Sequence, residues 1–175
     1  MFATMTTLFA TTVTLTPSDA KTVRSFPFEV PRGTEAMSLV FEWDPDHSDD
    51  VDKNRAMVES ALRSWGRWEQ MREHPDVKRN ITRQLTLLNT VLVEPSGRWR
   101  GRSDRGKGTK ADPLVVDPYA PASGFVGGPI EPGRWSIDLE VHSVVTETCR
   151  FSLELKSIPS TPSASSSSST RSSTI

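Results

Sequence analysis

The feature that most constrains this chain is two-residue alternation of apolar and polar side chains. In RWSIDLEVHSV (134–144), Trp135, Ile137, Leu139 and Val141 alternate with Arg134, Ser136, Asp138, Glu140 and His142. Only an extended strand with one buried face sorts side chains in that way. The same pattern recurs along the chain. RFSLELKSI sets Phe151, Leu153 and Leu155 against Ser152, Glu154 and Lys156. AMSLVFEW aligns Met37, Leu39, Phe41 and Trp43, SFPFEVP aligns Phe26, Phe28 and Val30, and TVTLTP opposes Val13 and Leu15 to threonines. QLTLLNTVLVEP carries Leu85, Leu87, Val91 and Val93 with Asn89 between them, and Leu88 and Leu92 on its other face. That double pattern predicts a central strand covered on both sides. PLVVDP (113–118) is a shorter candidate.

Roughly six or seven such strands predict an all-β fold, an antiparallel sandwich of jelly-roll or immunoglobulin-like kind. The links carry turn chemistry at Pro31-Arg32-Gly33, Glu94-Pro95-Ser96-Gly97 and Glu131-Pro132-Gly133. One segment departs from the pattern. Val58, Ala61, Leu62, Trp65 and Trp68 fall on one stripe of a helix. Acidic residues from Asp49 complement its N-terminus and Pro75 is expected to stop it. This predicts one inserted amphipathic helix over about 49–73, of about five or six turns. Its tryptophans either seal it to the sandwich or form a ledge for a partner, so Trp65 and Trp68 are candidate partner-surface residues. Residues 1–12 read as a frayed start, 13–158 as the sandwich domain, and the serine-rich 159–175 as a disordered tail.

The 175 residues suffice for one core. A net charge of -1 and a pI near 6.3 give no general pull toward nucleic acid or an anionic membrane. No run of about 18 apolar residues suggests a membrane span. The N-terminal stretch has no Lys or Arg before Lys21 and is interrupted by threonines, unlike a signal peptide. A cytoplasmic location is therefore expected. The single Cys149 cannot form an internal disulfide and is expected in the core.

Three groups of residues bear on chemistry. The acidic run EWDPDHSDDVD (42–52) offers carboxylates around His47. Counted from Asp44 as a calcium loop, its sixth residue is Asp49 in place of Gly and its twelfth is Arg55 in place of Glu. A helix-capping loop with no metal is expected. The basic run RWRGRSDRGKGTK (98–110) gathers Arg98, Arg100, Arg102, Arg105 and Lys107 around Trp99. Such residues could grip phosphates or another anion. Alternation would also place Arg98, Arg100 and Arg102 on one side of an edge strand, where charge opposes aggregation. The glycine-rich YAPASGFVGGPIEPG (119–133) has no lysine and no following helix, so it reads as a structural corner that turns Trp135 inward. No catalytic set assembles and no cofactor motif occurs, which predicts no intrinsic hydrolase activity.

Four stretches together, 26–45, 87–101, 122–145 and 148–155, form a pattern. It comprises a Phe-x-Val-Pro-x-Gly opening, a Pro-x-Gly turn followed by an aromatic and glycine, and a Gly-Pro-Ile-x-Pro-Gly-x-Trp approach to a late strand. This resembles the β-sandwich domain that precedes the metal-dependent hydrolase domain in CehA/McbA-type proteins of the polymerase and histidinol phosphatase superfamily. In such proteins the chemistry lies in the C-terminal domain, with a His-x-His and further His and Asp ligands. No position of this chain matches those ligands. The residues that match are Phe28, Pro31, Gly33, Pro95, Gly97, Trp99, Gly128, Pro129, Pro132, Gly133 and Trp135, all of the scaffold. The resemblance implies a non-catalytic accessory or interaction module whose partner is a hydrolase domain or another protein. The alternatives are a piece of a metal-dependent esterase or phosphoesterase whose catalytic domain lies elsewhere, and anion binding through 98–110.

Overall fold

The structure is a computed structural model that describes residues 5–103 and 108–159. Among these residues ten strands and three α-helices follow one another, with a short 3-10 turn at Pro17–Asp19: β1 (Thr6–Leu15), β2 (Thr22–Val30), β3 (Thr34–Asp44), β4 (His47–Ser48), α1 (Val51–Ser64), α2 (Trp68–Met71), α3 (Pro75–Thr82), β5 (Gln84–Leu85), β6 (Leu87–Val93), β7 (Trp99–Arg102), β8 (Leu114–Val116), β9 (Gly133–Ser143) and β10 (Cys149–Pro159). Two four-stranded antiparallel sheets result, in the orders β1-β10-β3-β8 and β2-β9-β6-β7.

The alternation explains the layering. Leu39, Phe41, Phe151 and Leu155 from one sheet meet Trp135, Ile137, Leu139 and Leu92 from the other in a single core. Cys149 is buried in it. Register is fixed because a slip of one residue would turn each apolar row to water. Phe151 lies opposite Trp43 and Leu155 opposite Leu39, so each row stays on its own face.

Three expectations change. The strand over Thr6–Leu15 starts well inside the segment read as frayed, because its backbone pairs with β10 from Thr6 opposite Ser157. Thr7, Thr12 and Thr14, opposite Lys156, Ser152 and Arg150, mark the outer face of this edge strand. The strand β6 is central in its sheet but only partly covered on its outer side, where Val91 is buried and Leu87 is not. Leu88, Thr90 and Leu92 face the core opposite Val141, Leu139 and Ile137, while Leu85 and Leu87 are exposed. The insertion holds three short helices in place of one, and it runs on to Thr82. Gly66, at φ +66°, ends α1 in a Schellman turn: its N–H reaches Arg63 O at 2.9 Å and the Arg67 N–H reaches Leu62 O at 2.8 Å. Pro75 opens α3 rather than closing a helix, since at the first helical position its missing N–H has no helical partner to lose.

The helices build a second, separate core. Leu62, Trp68, Val77 and Ile81 pack together with Val58 and Met71. The two-residue strands β4 and β5 pair at its base, His47 opposite Leu85. Trp68 thus seals helix to helix, not helix to sandwich.

Candidate functional site

The basic stretch falls on β7 and the turn before it. Glu94 N–H donates to Arg98 O at 2.9 Å, which folds the chain back on itself, and Gly97 takes φ +80° there. Trp99 lies opposite Val93, yet Gly101, not Arg100, lies opposite Leu92. The extra residue makes a β-bulge that turns Arg100 inward. Its side chain is 0% exposed and Glu94 is 4% exposed. The Arg98 guanidinium grips the Glu94 carboxylate as a fork, Nε to Oε2 at 2.6 Å and Nη2 to Oε1 at 2.9 Å. Arg100 Nη1 donates to Oε1 at 2.9 Å. Hydrogen bonding from Arg98 holds the Glu94 carboxyl below its ordinary range, burial opposes this, and Arg100 adds to the lowering.

On its far side Arg100 donates to the carbonyls of Gly128 and Pro129. Val126 N–H donates to Arg100 O at 2.8 Å and Arg102 N–H to Gly124 O at 2.9 Å. The glycine-rich loop is therefore bolted along the free edge of β7. Gly101 permits the approach: a Cβ there would sit 2.5 Å from Phe125 Cα. Trp135 is buried and donates from Nε1 to Glu131 O at 2.8 Å. Beside the loop lies a cleft of about 490 Å³ bordered by Thr34, Glu35, Asp117 and Tyr119. Asp117 braces its own turn, accepting from the N–H groups of Tyr119 at 2.7 Å and Ala120 at 2.8 Å, and these bonds lower its pKa.

The expected row of Arg98, Arg100 and Arg102 on one side does not form. Arg98 and Arg100 converge on Glu94, whereas Trp99 and Arg102 stand on the outer face of the sheet, opposite Val93 and Val91. Arg105 and Lys107 lie outside the described residues.

That outer face brings together groups from three strands. Asn89 lies opposite Glu140, and Val91 opposite Asp138. Asn89 Nδ2 and His142 Nε2 are 2.9 Å apart. Glu140 Oε2 lies 3.5 Å from His142 Nε2 and 3.9 Å from Arg102 Nη1. This oxygen is shielded from water and has no hydrogen-bond partner among the described residues. Ser25 Oγ donates to Asp138 Oδ1 at 2.5 Å. Trp99 is 52% exposed at the edge of this face. Sequence parity placed Glu140 and His142 side by side. It could not reveal Asn89 or Arg102 as their neighbours, because that depends on register between strands and on the bulge.

In the helical insertion, Asp50 caps α1 by accepting from Lys53 N–H at 3.0 Å. Asn54 Nδ2 donates to Ser48 O at 2.8 Å in the interior. Arg83 forks onto Asp49 at 2.7 and 3.0 Å and lowers its pKa. The two ring nitrogens of His47 face different carboxylates, Nδ1 that of Asp46 at 2.5 Å and Nε2 that of Asp49 at 3.2 Å. Among the described residues no three His, Cys, Asp or Glu side chains converge as a metal set. Trp68 is buried with the Arg63 guanidinium 5.8 Å above its ring. Trp65 is 70% exposed. It rims an apolar groove of about 390 Å³ lined by Met57, Val58, Ala61, Met71 and Val77.

No family model matches the chain. No curated protein matches it either. The residues that carry the resemblance to CehA/McbA-type hydrolases sit mostly in turns and core: Phe28 and Trp135 are buried, and Gly97 and Gly133 take positive φ at strand junctions. Among the described residues no helix is long and apolar enough to cross a membrane.

Proposed function

We propose that this protein is a non-catalytic interaction module in which the sandwich is a rigid base and the helical insertion is the contact element. The observation that carries this reading is Trp65. The insertion has an apolar core of its own, closed by Trp68, yet it leaves a second tryptophan largely in water beside an apolar groove. Large aromatics anchor protein interfaces because each buries much apolar area at low entropic cost. Met57, also exposed, extends the same surface. The first partner to test is a metal-dependent hydrolase domain, the context that the sequence resemblance implies.

The test places a photo-crosslinking amino acid at position 65 and, as a control, at Tyr119, which is 96% exposed on the sandwich. Each protein is mixed with a purified metal-dependent hydrolase domain of the CehA/McbA type, and with extract of the source cells. Adducts specific to position 65 are expected, and Trp65→Ala with Met57→Ala should abolish the corresponding complex. Equal labelling from both positions would sink the reading.

A further inference from the structure

We propose that the free edge of β1 is a dimer interface, where a second copy of this chain adds its own β1 antiparallel and joins the two β1-β10-β3-β8 sheets into one. This contact is separate from the partner surface assigned to the helical insertion. Among the described residues, the edges of the two large sheets differ in how they are guarded. β7 is covered by the glycine-rich loop, since Val126 N–H donates to Arg100 O at 2.8 Å and Arg102 N–H to Gly124 O at 2.9 Å. β8 is three residues long, and its Val115 O accepts from Ala122 N–H at 2.8 Å. β2 carries Pro27, which has no N–H to offer, and the charged Arg24 and Glu29. β1 has ten residues, TTLFATTVTL, without a charge, a proline or a glycine. It lies last in its sheet, and among the described residues no strand or loop pairs with the side turned away from β10. In an antiparallel ladder every second residue points its N–H and C=O outward, so this edge offers an open row of donors and acceptors.

The side chains along this edge are incomplete in the same way. Leu8, Phe9 and Val13 of β1 and Phe26 of β2 pack against the core yet stay half-buried. The Phe9 ring lies 5.9 Å from that of Phe26 and 6.3 Å from that of Phe28, so the core reaches the surface here. Charge, register and area fit a second copy. An uncharged strand brings no like charges together when it meets itself. Leu8 is the extra residue of a bulge, and regular pairing with β10 runs from Phe9 opposite Leu155 to Leu15 opposite Cys149. When the run Phe9–Leu15 pairs with itself, Thr12 sits on the two-fold axis. Phe9 then faces the partner's Leu15 and Thr11 faces the partner's Val13, inner row on inner row. At about 3.4 Å per residue the edge is about 34 Å long, and a two-layer sandwich is about 20 Å deep. Roughly 700 Å² per partner would be covered, close to the about 800 Å² of a standard interface.

The experiment measures the mass of the full chain in solution by sedimentation and light scattering. A reversible dimer is expected at about 100 µM. Thr12→Lys, on the exposed outer face, sets two ammonium groups opposite each other at the axis and should weaken the dimer about tenfold or more. Thr12→Glu should do the same. An equimolar mixture of the two should recover a heterodimer, because opposite charges then meet, and that recovery also shows both variants to be folded. Thr12→Cys should give a disulfide-linked dimer under mild oxidation, whereas Val23→Cys, exposed on β2, should not. A monomer at that concentration would overturn the proposal. So would a dimer that Thr12→Lys and Thr12→Glu leave unchanged, or one cross-linked equally from Val23→Cys. Trp65→Ala with Met57→Ala should leave the dimer intact; a dimer lost in that variant would lie on the helices and overturn this edge. Loss of the Trp65-dependent complex with the dimer intact bears on the partner reading alone.

Discussion

Glu94→Ala should be among the most damaging single changes outside the two hydrophobic cores. Its carboxylate accepts three bonds from two guanidinium groups at 2.6 to 2.9 Å. One of those groups, on Arg100, is 0% exposed. Removing the carboxylate leaves a buried cation held only by the carbonyls of Gly128 and Pro129. Breaking one side of such a pair costs about 3–5 kcal/mol, a large share of the roughly 5–15 kcal/mol that stabilises a typical domain. With a urea slope of about 2 kcal/mol/M, the unfolding midpoint should fall by about 1.5–2.5 M. Arg98→Ala should move it far less, because that guanidinium lies largely in water and its pairing is screened. The double change Glu94→Gln with Arg100→Met should cost less than the sum of its parts, since charge and counter-charge leave together. Acid provides an independent check. The folded Glu94 carboxyl sits below its ordinary value of 4.5, so its contribution is fully present above pH 4.5 and is lost as pH falls through the lowered folded value. The stability gap between the wild type and Glu94→Gln should therefore narrow below pH 4.5. Equal midpoint shifts for Glu94→Ala and Arg98→Ala would refute the idea that Glu94 balances a buried charge.

Two further changes probe the frame. Gly101→Ala would set a Cβ 2.5 Å from Phe125 Cα and 2.6 Å from Gly124 O, at φ +152°. A loss of about 1–3 kcal/mol is expected, seen as a melting point lower by several degrees, and an unchanged melting point would contradict this account of the loop. Trp68→Ala removes the lid of the helical core at a cost of about 3–5 kcal/mol. Because that core is separate from the sandwich, hydrogen exchange should lose protection over 51–82 while β9 and β10 keep theirs. Loss in both regions together would show that the two cores are one cooperative unit.

Alternation made the inner faces legible. The rows Phe26-Phe28-Val30, Met37-Leu39-Phe41-Trp43 and Trp135-Ile137-Leu139-Val141 all point inward as their period predicts, apart from the half-covered Phe26. Where a strand is apolar on both parities the period is silent about direction. That is why Leu85 and Leu87 lie exposed although they share a row with the buried Val91. Proline has two meanings at helices, barred from the interior and favoured at the first position, and the local sequence at Pro75 does not separate them. Of the candidate site, the pairing of Glu140 with His142 follows from parity. The convergence of Arg98 and Arg100 on Glu94 does not, because a turn and a bulge sit between them.

The bulge has consequences on both faces of the sheet. Trp99 and Arg102 are three residues apart, so regular alternation would send them to opposite sides. One extra residue at Arg100 resets the parity, and both emerge on the outer face opposite Val93 and Val91. The same residue sinks Arg100 under the sheet edge, where it ties Glu94 to the carbonyls of Gly128 and Pro129. The buried pair and the exposed tryptophan are thus two ends of one backbone irregularity. A bulge leaves a ladder position unpaired, and here Arg100 O instead accepts from Val126 N–H at 2.8 Å. The Glu94–Arg100 bond fastens the turned-in side chain, so the placement of Trp99 beside Arg102 on the outer face is coupled to a charge pair on the other side of the sheet.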